Sequence, residues 1–174
     1  MPGGGKSTVG RQLAKRLGRT FADSDAVLEQ RLGEPIRVFF EREGEAAFRA
    51  LEQDVLAELL DEQAGVLVLA TGGGAVLKEP NRQRLRERST VLYLRSSADE
   101  LFRRLRHDTQ RPLLQVADPL ARLRELYFQR DPLYRSTAHF IIETGRPSVA
   151  MLVNMILMQL ELAGKVPMPA YQKG

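Results

Sequence analysis

Apolar positions recur along this chain with two different periods. Val9, Leu13, Ala14 and Leu17 fall on one face of a helix that Gly18 is placed to end. Phe48, Leu51, Val55 and Leu59 repeat at the same spacing and predict a second, strongly periodic helix. Val149, Leu152, Val153, Ile156 and Leu160 predict a closing helix, with Ser148 as its N-cap. Between these lie short apolar runs. Residues 66–70, Val-Leu-Val-Leu-Ala between Gly65 and Gly72, read as a strand buried on both faces. Residues 90–94 read as a second such strand, and 20–22 and 139–142 as two more.

The remaining segments are punctuated by turn and cap residues. A helix over 26–32 is ended by Gly33. Pro35 starts a short helix, with Ile36, Phe39 and Phe40 inward, that Gly44 breaks. Residues 81–88 form a polar helix, Ser97 and Glu100 a capping box that opens a helix to about 106, and 119–129 another helix. Residues 107–118, around Arg111-Pro112-Leu113-Leu114, show no period and read as a mobile loop; the tail over 164–174, with Pro167 and Pro169, reads as frayed. Short strands alternating with helices mean an α/β fold, a parallel sheet covered on both faces. With 174 residues, no internal repeat and no long linker, one domain is expected. In such sheets ligands sit beyond the carboxyl ends of the strands. Asp23-Ser24-Asp25 and Gly72-Gly73-Gly74 both follow strands.

The chemistry starts at the first residues. Gly3-Gly4-Gly5-Lys6-Ser7-Thr8 leads into the first helix. Three glycines leave backbone N–H groups free to turn inward as a nest for phosphate oxygens. Lys6 can reach the β- and γ-phosphates and the Ser7 hydroxyl can bind Mg²⁺, with the positive helix end behind them. The bland alternative is a glycine-rich tail with a chance Gly-Lys-Ser. The full pattern, G-x-x-x-x-G-K-[ST], would put its first glycine one residue before Met1, and the hydrophobic strand that feeds such a loop is absent. The expectation is therefore a chain without its first strand, through a misplaced start codon or trimming. Residues 66–70 and 90–94 would then stand about two strand spacings apart, roughly 10 Å, around an open slot.

Phosphoryl transfer needs positioning, Mg²⁺ and positive charge, and an acceptor hydroxyl needs a carboxylate. Asp23 and Asp25, one residue apart, can share a face, one serving Mg²⁺ through water and the other the acceptor; alternatively Asp25 is the helix N-cap. Gly72-Gly73-Gly74 admits a ligand close to the backbone, or is a tight turn. Arg49 and Arg135 are ligand contacts or surface arginines, and Arg111 closes over phosphate or is a solvated loop charge.

Composition narrows the class. There is no cysteine, so disulfides and thiolate chemistry are excluded. No apolar run reaches membrane-spanning length and no signal-peptide core is present, so an intracellular, cytoplasmic protein without membrane partners is expected. The net charge is +4, with only five lysines among 26 basic residues. Arginine suits forked contacts to carboxylate and phosphate, although a coding bias explains most surface arginines. No basic-aromatic interleaving supports nucleic-acid binding.

The motif order resembles the shikimate kinase family. The matching stretches are GGGKSTVGRQLAKRLG, FADSDAVLEQRLGEPIRVFFEREGEAAFRALE, LATGGGAVL, RPLL and DPLYRSTA, which span nearly the whole chain. The resemblance implies a P-loop kinase fold like that of nucleoside-monophosphate kinases, and ATP-dependent phosphorylation of the shikimate 3-hydroxyl. It implies ATP and Mg²⁺ at Gly3, Gly4, Gly5, Lys6, Ser7 and Thr8, with Asp23 supporting the metal through water. It implies Asp25 on the reacting hydroxyl, and Arg49 and Arg135 on the shikimate carboxylate beside Gly72, Gly73 and Gly74. Phe40, Phe48 and Glu52 would brace that pocket, Arg111 would be the arginine of a lid over 107–118, and Arg104 (or Arg106) and Arg146 would meet adenine. Residues 25–60 would form the substrate-binding subdomain, in a monomer with a five-stranded sheet less its central strand. Kinases of other small hydroxy-carboxylates such as gluconate, and a catalytically silent relative, fit the bare residue logic as well.

Overall fold

The structure is a computed structural model that describes residues 6–63, 65–105 and 117–166, with the backbone alone at 104 and 105. In chain order the elements are α1 (Lys6–Leu17), β1 (Thr20–Asp23), α2 (Ser24–Leu32), α3 (Ile36–Glu62), β2 (Leu67–Ala70), α4 (Glu79–Arg88), β3 (Leu92–Arg95), α5 (Ala98–Leu105), α6 (Pro119–Thr137), β4 (Phe140–Glu143) and α7 (Val149–Leu162). A single 3-10 turn, Ala75–Leu77, precedes α4. The α/β alternation follows the sequence pattern. The 107–118 segment and the tail from 167 lie largely or wholly outside the described residues.

Helices cover both faces of the strands, as the continuous apolar runs require. On β2, Val68 packs on the cluster of Val9, Leu13, Val153 and Ile156 from α1 and α7. Its neighbours Leu67 and Leu69 pack the other way, on Leu28, Phe48, Val55 and Leu59 from α2 and α3. On β3, Leu92 and Leu94 face the first cluster, whereas Tyr93 joins Val76, Leu101 and Tyr134. The period of two thus assigns alternate side chains to two helix layers.

The sheet is interrupted at its middle. β1 pairs in parallel with β2, from Thr20 opposite Leu67 to Asp23 opposite Ala70. β3 pairs in parallel with β4, from Leu92 opposite Phe140 to Arg95 opposite Glu143. Among the described residues β2 and β3 do not pair. A cavity of about 570 Å³ lies between them, walled by Val68, Ala70, Leu92 and Leu94 and by Leu13 and Ile156 of the helices behind. The expected slot between 66–70 and 90–94 is present.

Several local expectations are corrected. α2 begins at Ser24 rather than at residue 26, because Asp23 is the cap. The short helix from Pro35 is broken at Gly44 as expected: α3 is two helices joined across a kink there, where Gly44 has φ 87° and ψ 173°, a conformation only glycine adopts readily. Phe40, expected inward, is exposed, and Val66, expected within a buried strand, is 56% exposed and lies outside β2. α6 runs to Thr137 through Pro132, eight residues beyond the expected end at 129 (137 − 129). That extension places Arg130, Asp131, Tyr134 and Arg135 on helical spacing.

Candidate active site

The C-terminal ends of β1 and β2 meet the N-terminus of α1. There Ser7 Oγ donates to Asp23 Oδ2 at 2.6 Å, and Lys6 Nζ donates to the Thr71 carbonyl at 2.8 Å. Asp23 serves two elements at once. Its Oδ1 accepts from the Asp25 and Ala26 backbone N–H groups at 2.9 and 3.4 Å and so caps α2. The cap alternative considered for Asp25 therefore falls to Asp23, and the Asp25 side chain is released from that duty. Ser7 and Asp23 present two hard oxygen donors side by side, a set that suits Mg²⁺, which keeps several waters and needs few protein ligands. Among the described residues no cluster of three or more acidic or histidine side chains offers a fuller metal cage. Thr8 is exposed in the first turn of α1.

Asp25 sits in the first turn of α2, partly buried. Its carboxylate lies against the Gly72 backbone so closely that a Cβ there would come within 2.6 Å of Oδ1. A side chain at 72 would push the Asp25 carboxylate from this place. Burial, then the charge of Asp23, pushes the Asp25 carboxyl above its ordinary range, while Lys6 and Arg49 pull it back. No hydrogen-bond donor among the described residues occupies this carboxylate, so it can accept one from a ligand.

A cationic corner faces it. Arg49, on α3, keeps only 11% of its side chain exposed. Its Nη1 donates to Glu52 Oε1 at 2.9 Å, its plane lies 5.1 Å from the Phe48 ring centre, and Glu45 stands 3.6 Å from Nε. The Nε group is buried without a hydrogen bond. Glu52 is almost wholly buried, which raises its carboxyl, and Arg49 opposes the rise. Gly74 lies directly beneath the Arg49 guanidinium, where a Cβ would overlap it. Phe48 is buried with Phe40 tilted on it at 5.8 Å.

The glycine loop between these groups has its carbonyls tied back. Gly72 and Gly74 carbonyls accept from Ala75 and Leu77 N–H groups, both at 3.1 Å, and the Gly73 carbonyl accepts from the Tyr134 hydroxyl. The Gly72 N–H donates to buried Ser24 Oγ at 3.2 Å. The N–H groups of Gly73 and Gly74 have no partner among the described residues. Two such N–H groups, with the Gly74 backbone beneath a buried guanidinium, suit a carboxylate.

The second arginine of this corner is Arg130. Its charge acts on Glu52 and on the Tyr134 hydroxyl. Arg135, the sequence-based choice, is not brought here: half exposed, it pairs its Nε with Asp131 Oδ2 at 3.1 Å. The reason is helical phase. Residues 130 and 134 lie four apart on the face that meets the glycine loop, whereas 131 and 135 share the next face. The signal available in sequence was that i, i+4 relation to Tyr134, once α6 was known to extend past 129. Arg146 is exposed in the β4–α7 loop. The Arg104 side chain, Arg111 and Gly3, Gly4 and Gly5 lie outside the described residues.

Known proteins resemble this chain along nearly its whole length. The family model described as shikimate kinase matches residues 2–161. The shikimate kinase of Paracidovorax citrulli is 61% identical over 96% of this chain and 92% of its own length. That of Ralstonia nicotianae is 56% identical over 97% and 87%. Among solved structures, shikimate kinase from Acinetobacter baumannii in complex with shikimate superposes with a TM-score of 0.87 at 48% identity, covering 94% of this chain and 89% of that one. The enzyme from Aquifex aeolicus gives 0.81 at 31% identity, covering 94% of each. On the family match, the identity and the shared fold, this chain belongs to the shikimate kinase family.

Proposed function

We infer that this chain transfers the γ-phosphoryl group of ATP to the 3-hydroxyl of shikimate, giving shikimate 3-phosphate and ADP in aromatic amino-acid biosynthesis. The observation that carries the reading is the pairing of a free, raised carboxylate with a carboxylate-binding corner across one glycine loop. Shikimate is a small hydroxylated carboxylate and needs both ends. Arg49, Arg130 and the Gly73 and Gly74 N–H groups hold its carboxylate, which turns a ring hydroxyl toward Asp25. Asp25 accepts the hydroxyl proton as the oxygen bonds to the γ-phosphorus; the bond from that phosphorus to the β–γ bridging oxygen breaks and ADP leaves. Lys6 steadies the negative charge on the phosphates. Ser7 and Asp23 would hold Mg²⁺, which when bound neutralises phosphate charge. Residues 25–60 supply Asp25, Arg49 and Glu52, the substrate side of the site. No helix among the described residues is long and apolar enough to cross a membrane. The proposed setting is the cytoplasm, with the enzyme acting as a monomer.

A coupled ADP-release assay tests the reading. Turnover is expected with shikimate and not with gluconate or quinate; turnover with gluconate alone would overturn it. The grip has its own test. Arg49→Lys and Arg130→Lys keep the charge and lose the fork, so each should raise KM for shikimate by about ten- to a hundredfold, the worth of a charged hydrogen bond. KM for ATP should stay constant. Arg135→Lys should leave both constants unchanged, and a shikimate KM that responds to Arg135 instead of Arg130 would reverse the assignment.

A further inference from the structure

The glycine loop is held from outside its own turn at two points. One is Ser24 on the Gly72 N–H, and the other is the Tyr134 hydroxyl on the Gly73 carbonyl. The second has a directional consequence. The Gly73 carbonyl and the Gly74 N–H belong to one planar, trans peptide unit and point in opposite directions. Fixing the carbonyl toward Tyr134 therefore fixes the Gly74 N–H away from it, beneath Arg49. A peptide between two glycines has little else to stop it turning over. The charge of Arg130 also reaches this hydroxyl, so the two lie on one side of the loop.

Tyr134 is built for this. It is 9% exposed, and its ring packs on Tyr93 with centres 4.9 Å apart. Tyr93 is fixed in turn through its own hydroxyl, which donates to buried Asp131 at 2.7 Å. Burial pushes the Tyr134 phenol up to about 12, so the hydroxyl keeps its proton across the working range.

We propose that Tyr134 is a positioning residue for substrate recognition: its hydroxyl orients the Gly73–Gly74 peptide so that the Gly74 N–H faces the substrate carboxylate, and it touches no substrate itself. The proposal rests on the reading of Arg49 and Arg130 as the carboxylate grip.

Tyr134→Phe keeps the ring against Tyr93 and removes only the hydroxyl. It should raise KM for shikimate about tenfold, the effect of leaving one buried acceptor without its donor. kcat and KM for ATP should stay within twofold. The effect should vanish with shikimate methyl ester, which lacks the anion, whereas a general loosening of the fold would act on both substrates. Tyr93→Phe, which removes a buried hydroxyl from the same aromatic cluster but not from the loop, is the stability control: it should lower the melting temperature without the KM change. In a double-mutant cycle, Tyr134→Phe and Arg130→Lys should be less than additive in log KM. An unchanged shikimate KM, an equal rise in the ATP KM, an equal effect on the ester, or full additivity would each overturn the proposal. If Arg49→Lys and Arg130→Lys themselves leave the shikimate KM unchanged, the grip is wrong. If they raise it and Tyr134→Phe does not, only the positioning role of Tyr134 is wrong.

Discussion

Replacing Asp25 by asparagine is expected to lower kcat at least about a hundredfold, with KM for ATP unchanged. General-base assistance contributes about 10² to 10⁴ in rate. Asparagine preserves the size of the group and its place against Gly72 but cannot take a proton. The site is arranged to make this carboxylate a better base than a solvated aspartate, since burial and the neighbouring Asp23 charge both raise it. The pH dependence follows with a definite sign. The working form is the ionised one, so kcat/KM should fall as pH drops through the raised value, on the acid side but above the ordinary aspartate range. That limb should disappear in Asp25→Asn. A variant with wild-type turnover and an unaltered acid limb would reduce Asp25 to a first-turn helix residue. The cap explanation has no place in that outcome, because Asp23 performs the capping.

The second large effect concerns stability and arises from the slot. Cavity volume in a protein core costs about 24 cal/mol per Å³. For about 570 Å³ fully enclosed, that would be on the order of 14 kcal/mol; this slot is partly open to solvent, with Lys6, Arg19 and Glu87 on its lining, so the cost is a fraction of that, still large beside an ordinary domain's stability of about 5–15 kcal/mol. The 174-residue chain should therefore unfold in urea with less than about 5 kcal/mol, and it should bind an apolar dye under native conditions. The slot also reverses the sign of a familiar substitution. In a filled core, enlarging an apolar residue costs about 1–3 kcal/mol. Here Leu13→Phe and Val68→Phe, on two walls of the slot, should each stabilise by roughly 0.5–2 kcal/mol. Stability above about 10 kcal/mol without dye binding, or destabilisation by both variants, would mean that β2 and β3 close on one another in solution.

The arrangement of strands and helices was legible because each element carries its own period. Four short apolar runs became four strands, and the faces of α1, α3 and α7 are the ones the repeats mark. The phosphate-binding end was legible for a related reason. Lys6, Ser7, Asp23 and Asp25 lie at the ends of elements, and a parallel sheet sends those ends to one side. Misjudged boundaries followed from local signals that tertiary contacts overrode. Pro132 does not end α6, since Asp131, Tyr93, Tyr134 and Gly73 bind together the turn in which it lies. Gly44, by contrast, breaks the helix as the sequence signals, and the second helix carries Phe48, Val55 and Leu59 into the core shared with Leu28.

What the sequence determined by itself is the kinase class and its order of motifs. It also singled out Asp23, Asp25 and Gly72 to Gly74, which the structure gathers at the strand ends, since these depend on residue type and short spacing. The tertiary structure decided which of two nearby arginines lies toward Glu52 and Tyr134. That choice depends on helical phase in α6 and on a buried tyrosine hydroxyl 61 positions from its acceptor. It likewise decided that Asp23 caps α2 and leaves Asp25 free, because one carboxylate oxygen can be spent on a helix end while the other meets Ser7. Spacing places residues on an element; which neighbour a side chain finally meets is set by how the elements pack.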